Sequence, residues 1–98
     1  MQTNTETETS RDTIFIGKKP LMTYVTAAIM QLTTSDGPIT IKARGMSIST
    51  AVSVAQIVTR QMSICQIGNV IIGSESLQSQ DGRTRNVSTI EIQVTKTK

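Results

Sequence analysis

Histidine and tryptophan are absent from this 98-residue chain, and cysteine, phenylalanine and tyrosine occur once each. Without an imidazole there is no Ser-His or Cys-His pair and no base that ordinarily titrates near neutrality, which removes the commonest hydrolytic mechanisms. A single cysteine, Cys65, excludes both an intrachain disulfide and a cysteine zinc cluster. With Ile64 and Ile67 beside it, that thiol reads as a small buried apolar group. Outside residues 1–12 the carboxylates are Asp36, Glu75, Asp81 and Glu91, all in turns or on a strand face. The glycines fit neither a phosphate loop nor a dinucleotide fingerprint. No catalytic residue, metal, cofactor or small-molecule substrate is expected, and the chain reads as a non-enzyme. No apolar run approaches the roughly 18 residues needed to cross a bilayer. Residues 1–10 are rich in Thr and Glu and lack the apolar centre of a signal peptide. A soluble cytoplasmic protein without a membrane partner is the expectation.

What is present is aliphatic and basic. The hydrophobic share of 37% is nearly all Ile, Val, Leu, Ala and Met, which suits a sheet covered by helices. Residues 1–11 can bury nothing and are expected to be a disordered polar tail, leaving one domain over residues 12–98. Without residues 1–12, nine Lys/Arg stand against four Asp/Glu, a net of five positive charges. Such a body attracts polyanions, of which nucleic acid is the most abundant inside cells, although the same excess also serves solubility. A core this small also makes a partner subunit a reasonable expectation.

The elements are read from apolar spacing. Residues 13–17 (TIFIG) are β-branched and aromatic and end in glycine, as a strand does. Pro20 suits the first helical position. Leu21, Val25, Ala28, Ile29 and Leu32 then form one stripe through about Thr33, and Ser35-Asp36-Gly37-Pro38 breaks the helix. In Ile39–Arg44 the apolar Ile39, Ile41 and Ala43 alternate with Thr40, Lys42 and Arg44, giving a half-buried strand with a basic outer face. A second helix, capped by Ser47 or Ser49, has the stripe Ile48, Ala51, Val52, Ala55, Val58 and Met62.

Residues 64–77 and 84–95 read as the two arms of a hairpin around Asp81-Gly82, a strong two-residue turn signal. That turn pairs Ile92 with Ile71 and Ile90 with Gly73, and puts Val70 and Ile72 on the face of Glu91 and Gln93. Either that face is covered, or a bulge near Gly68 or Gly73 flips the register. Between Ser74 and Ser88 only Leu77 and Val87 are apolar, so this stretch should project as a polar arm. The order β-α-β-α-β-β defines an α/β chain of the α+β two-layer sandwich type, with a mixed four-stranded sheet and a protruding hairpin.

Three basic features stand out. Gly17-Lys18-Lys19-Pro20 joins a strand to a helix amino terminus, where free N–H groups and the dipole favour an anion. Lys42 and Arg44 point outward from the second strand. Arg83 and Arg85, two residues apart on one face of the arm, suit a groove or a backbone. Each alone could be an ordinary solvated surface; together they favour nucleic-acid binding. Only Phe15 and Tyr24 could stack on bases, so recognition should be of backbone and shape.

The blocks Ile16-Gly17-Lys18-Lys19-Pro20-Leu21-Met22, Ile41-Lys42-Ala43-Arg44-Gly45, Ser79-Gln80-Asp81-Gly82-Arg83 and Val87-Ser88-Thr89-Ile90-Glu91-Ile92 resemble, in order and spacing, the Alba family of archaeal chromatin proteins. The resemblance runs from about Thr13 to Lys96. It implies a homodimer, with higher oligomers on DNA, that binds double-stranded DNA and RNA with little sequence preference and condenses the chromosome in the nucleoid. It places Lys18 and Lys19 on the backbone at the dimer centre, Lys42 and Arg44 on the binding surface, and Arg83 and Arg85 on arms that embrace the duplex. It also marks Lys18 as an acetylation candidate, since loss of that charge would weaken phosphate attraction. An RNA chaperone or ribonucleoprotein subunit is the alternative within the same family. Met46 and Thr50 depart from its pattern by standing where many members are basic, and Met62 stands where some place an aromatic used between dimers.

Overall fold

A computed structural model describes residues 12–34 and 37–97. The expected tail over residues 1–11, and Ser35 and Asp36 of the expected helix break, lie outside the described residues. The elements are β1 (Thr13–Phe15), α1 (Leu21–Thr34), β2 (Ile39–Arg44), a 3₁₀ turn (Gly45–Ser47), α2 (Ile48–Gln61), β3 (Cys65–Gln78) and β4 (Thr84–Lys96). The strands form one sheet in the order β1-β2-β4-β3, with β1 parallel to β2 and the other neighbours antiparallel. The α+β sandwich with a mixed sheet and two helices is as the spacing predicts. Two boundaries move: β1 ends at Phe15 rather than Gly17, and Pro20 precedes α1, its carbonyl accepting the Thr23 N–H at 3.0 Å.

Alternation puts Ile14, Ile41 and Ile92 in one cross-strand row on the covered face. Both helices lie on that face, and Leu32, Val54 and Val58 are fully buried against it. Each such side chain contributes about 1.5–3 kcal/mol through burial. The α2 stripe differs from expectation at one position. Val54, not Val52, turns inward, because Ala51, Val54, Ala55 and Val58 complete the i, i+3, i+4, i+7 face, whereas Val52 is exposed. Neither Ser47 nor Ser49 acts as the expected side-chain cap: Ser47 holds the N-cap position without a side-chain hydrogen bond. At the end of α1, the Thr33 and Thr34 hydroxyls donate to the carbonyls of Ile29 and Met30 at 2.7 and 2.9 Å. Cys65 is buried, at the start of β3.

The hairpin corrects the expected register. Gln78 pairs with Thr84, and the Ser79 N–H donates to the Arg83 carbonyl at 2.8 Å. The loop is therefore Gln80-Asp81-Gly82, three residues rather than two. The Ser79 carbonyl accepts the Gly82 N–H at 3.0 Å, and Gly82 has φ +88°, the left-handed residue that a type I turn with a following bulge requires. This places Ile72 opposite Ile90 and Val70 opposite Ile92. The register shifts once, between Ile67 and Val70, where Gly68 and Asn69 intervene. Glycine lets the strands approach closely there: a Cβ on residue 68 would come within 3.2 Å of the Gln93 side chain and 3.3 Å of that of Thr95, and both would have to give way.

With that register, Val70 and Ile72 share the face of the core, yet no helix among the described residues reaches over the edge strand β3 to cover them. Ile72 is 78% exposed, and Ile64, Ile67 and Val70 are exposed with it. Beyond Gly73 both strands leave the body: from Ser74 to Ser88 no residue is buried. The molecule is accordingly elongated, 48 × 31 × 23 Å. No helix among the described residues is long and apolar enough to cross a membrane.

Candidate nucleic-acid interface

One face of the sheet carries no helix among the described residues, and the loop after β1 borders it. The Ile16 N–H donates to the Lys42 carbonyl at 2.9 Å, carrying the chain to the corner where Lys18 and Lys19 stand. Tyr24, in the first turns of α1, holds that corner. Its buried hydroxyl accepts the N–H of Gly17 at 2.8 Å and of Lys19 at 3.0 Å. The tyrosine is thus a strut beneath the loop and is closed to stacking. It takes two backbone donors of the loop, so a phosphate at this corner would rely on the lysine ammonium groups and the free first-turn N–H groups of α1. Both lysines are exposed, and neither forms an ion pair among the described residues.

The strand cations are differently placed. Lys42 lies on the open face opposite Glu91, with its Nζ 3.8 Å from Glu91 Oε2 and 5.9 Å from the centre of the Phe15 ring. Arg44 Nη1 lies 2.9 Å from Glu75 Oε1 on β3. All four charged groups are about half exposed, so each pair is worth no more than about 1 kcal/mol to the fold. Each carboxylate nevertheless offsets the attraction of its cation for phosphate. Neither pairing could be read without the strand order, since β4 had first to be placed between β2 and β3.

At the end of the arm, Arg83 stands between the three-residue loop and the start of β4. Its Nε is 3.6 Å from Asp81 Oδ2, whereas Arg85 lies on β4 opposite Leu77, exposed and without an ion pair among the described residues. The six expected residues therefore fall into three groups. Lys18 and Lys19 share the β1–α1 corner. Lys42 and Arg44 share a depression of about 460 Å³ with Phe15, Glu75, Thr89 and Glu91. Arg83 and Arg85 stand on the arm, and at ~3.4 Å per residue Arg85 is roughly 14 Å along β4 from Thr89, the neighbour of Arg44. Arg60, in the last turn of α2, is a further exposed cation that the basic blocks do not include. The spacing of charges in the sequence gives it no motif.

A two-layer α+β fold with a basic corner and a projecting hairpin defines a small class of proteins, and comparison with known proteins narrows it. The Alba family model matches residues 12–74. The DNA/RNA-binding protein Alba of Nitrosopumilus maritimus (strain SCM1) is 62% identical over 87 residues, covering 87% of this chain and 90% of that protein. Among solved structures, Alba from Thermoplasma volcanium superposes with a TM-score of 0.79 at 40% identity, over 86% of this chain and 99% of that one. ALBA1 from Trypanosoma brucei shares the fold, with a TM-score of 0.71 at 21% identity over 91% of this chain and 72% of its own. The chain belongs to the Alba family.

Proposed function

We propose that this protein binds double-stranded DNA and RNA through their sugar-phosphate backbones, as a non-enzymatic architectural protein that compacts DNA in the nucleoid. The observation that carries the reading is the Lys18–Lys19 corner: two exposed ammonium groups without a carboxylate partner among the described residues, on a loop fixed by the Tyr24 hydroxyl. A fixed loop loses little entropy on binding, and unpaired lysines release the counterions of the phosphates they meet. The relative named for both nucleic acids supports a ligand range that includes RNA. Arg85, without a carboxylate partner among the described residues, extends the contact along the duplex, with Arg83, Lys42 and Arg44 as weaker contributors because each sits beside an acid. Acetylation of the exposed Lys18 would remove one of the two corner charges.

A homodimer completes the reading. The row Ile67, Val70 and Ile72 leaves apolar surface open along β3, of the kind a subunit contact covers. Two copies joined there would give the particle two arms and two lysine corners.

The test is titration of a duplex of arbitrary sequence at several salt concentrations. Affinity should fall steeply with salt, by roughly 0.9 log units per log unit for each phosphate neutralised. Lys18→Ala with Lys19→Ala should weaken all sequences alike and flatten that slope by up to about 2. A salt-independent affinity sinks the proposal, and sedimentation as a 10.6 kDa monomer at micromolar concentration removes the dimer from it.

A further inference from the structure

Phe15 has no place in a purely backbone-reading surface. It heads the cross-strand row Phe15, Lys42, Glu91 from the edge strand β1, and the residue is 57% exposed on the face that no helix among the described residues covers. A large apolar side chain open to water at that position contributes little to folding. Phe15 lines two depressions. One, of about 460 Å³, is lined by Lys42, Arg44, Thr89 and Glu91 among others. The other, of about 320 Å³, is bordered by Lys19 and Thr23. The ring therefore lies between the lysine corner on one side and the strand cations on the other. At 5.9 Å the Lys42 ammonium is at the outer limit of a cation–π contact, and the side chain remains largely exposed beside it.

We propose that this face is a second, single-strand-specific site, in which one unpaired base stacks on Phe15. Its flanking phosphates would lie toward Lys19 and toward Lys42 and Arg44. The inference rests on the nucleic-acid-binding reading above and adds a ligand class to it. A base within a duplex keeps both faces covered by its neighbours and cannot reach a ring set in a sheet; an unpaired base can. The carboxylates that line the same depression as Phe15 refine the choice of base. Glu91 and Glu75 repel phosphate but accept hydrogen bonds from N–H groups. Guanine offers two adjacent donors, N1–H and the 2-amino group, matching the two oxygens of one carboxylate. Uracil offers a single N–H between two carbonyl oxygens that a carboxylate repels. The site therefore favours guanine over uracil.

The chain has no tryptophan, so Phe15→Trp introduces a unique reporter whose emission a stacked base quenches. The probes are a uridine dodecamer, the same dodecamer with one central guanosine, its DNA counterpart and a blunt duplex DNA. Loss of one base–aromatic stack, about 1–3 kcal/mol, corresponds to roughly 5- to 150-fold in affinity. Phe15→Ala should weaken the guanosine-bearing strand within that range and leave duplex affinity within about twofold. The indole of Phe15→Trp should be quenched by that strand and not by the duplex. The RNA and DNA arms separate the two sources of an unpaired guanine. Equal losses on strand and duplex from a folded Phe15→Ala, or an unquenched indole in Phe15→Trp, overturn the proposal, and the indole decides where Phe15→Ala proves poorly folded. Equal affinity of the native chain for the two RNA dodecamers removes Glu91 and Glu75 from it. Failure of the native chain to bind the duplex is a separate result that counts against the parent reading.

Discussion

The two ends of the β3–β4 hairpin contain the same kind of paired strands and are held together in different ways. At the root, Ile92 and Val94 of β4 are buried beneath the helices, and the Thr97 N–H closes the base by donating to the Ile64 carbonyl at 2.6 Å. At the arm, no side chain is buried from Ser74 to Ser88, and order rests on the backbone ladder, the glycine turn and a few polar contacts such as Ser76 to Asn86 at 3.1 Å. The root is specified by packing, so its residues are replaceable only by others of like shape. The arm is specified by turn chemistry and strand pairing, so its side chains are free to meet a ligand. Function concentrates where burial does not constrain the sequence.

The contrast predicts its largest effect in stability. Ile92→Ala should cost about 2–5 kcal/mol, a large share of what a domain of this size has, while Leu77→Ala on the arm should cost no more than about 0.5 kcal/mol. At about 4–8 °C per kcal/mol for a domain of 60–100 residues, thermal unfolding followed by circular dichroism resolves the two readily. Similar shifts for both variants would mean that the arm folds as part of the core.

That difference also decides what the sequence discloses. Burial leaves a periodic trace, so the strand Ile39–Arg44, the stripe of α1 and the polarity of the arm were all legible from spacing. Where two apolar residues compete for one helical face, as Val52 and Val54 do, the trace is ambiguous, and only the position of the sheet settles it. The turn failed for another reason. Asp81-Gly82 suits a two-residue loop and a three-residue loop alike, and the choice depends on whether the Ser79 carbonyl reaches the Gly82 N–H. One residue of difference there moves Val70 and Ile72 from one face of the sheet to the other. The basic residues were legible as candidates, but their neutralising partners were not. Glu75 and Glu91 are 31 and 49 positions away from the cations they meet, and only the β2–β4–β3 order joins them.

The junction between root and arm is sharpened by Glu75→Gln. Arg44 loses its carboxylate partner while keeping a neighbour of the same shape, so the change in stability should stay below about 1 kcal/mol. Under the proposed function, duplex affinity should rise, by roughly threefold at physiological salt, and the salt slope should steepen by up to about 0.9 as Arg44 becomes available. Circular dichroism and anisotropy titration measure the two quantities on one preparation. An unchanged or weakened affinity would show that Arg44 lies off the binding surface.

The smallest effect belongs to the tip. The hydroxyl of Ser79 donates to the Asp81 carboxylate, and the Arg83 N–H donates to it at 3.1 Å. These two bonds, the Ser79 hydroxyl first, hold the Asp81 carboxyl below its ordinary range. A carboxyl whose folded pKa is depressed supports its local structure at pH above the ordinary value of about 3.9, and that support is lost as pH falls through the folded value. The arm should thus be fully formed near neutrality and should loosen at the tip only in acid, while the apolar packing of the root holds no buried charged side chain among the described residues. Carboxyl-detected NMR titration should place the Asp81 midpoint below that of an unstructured aspartate, and Ser79→Ala should raise it toward the ordinary value. A native midpoint at or above about 3.9 would show that the tip is held by the Gly82 turn alone, without help from the aspartate.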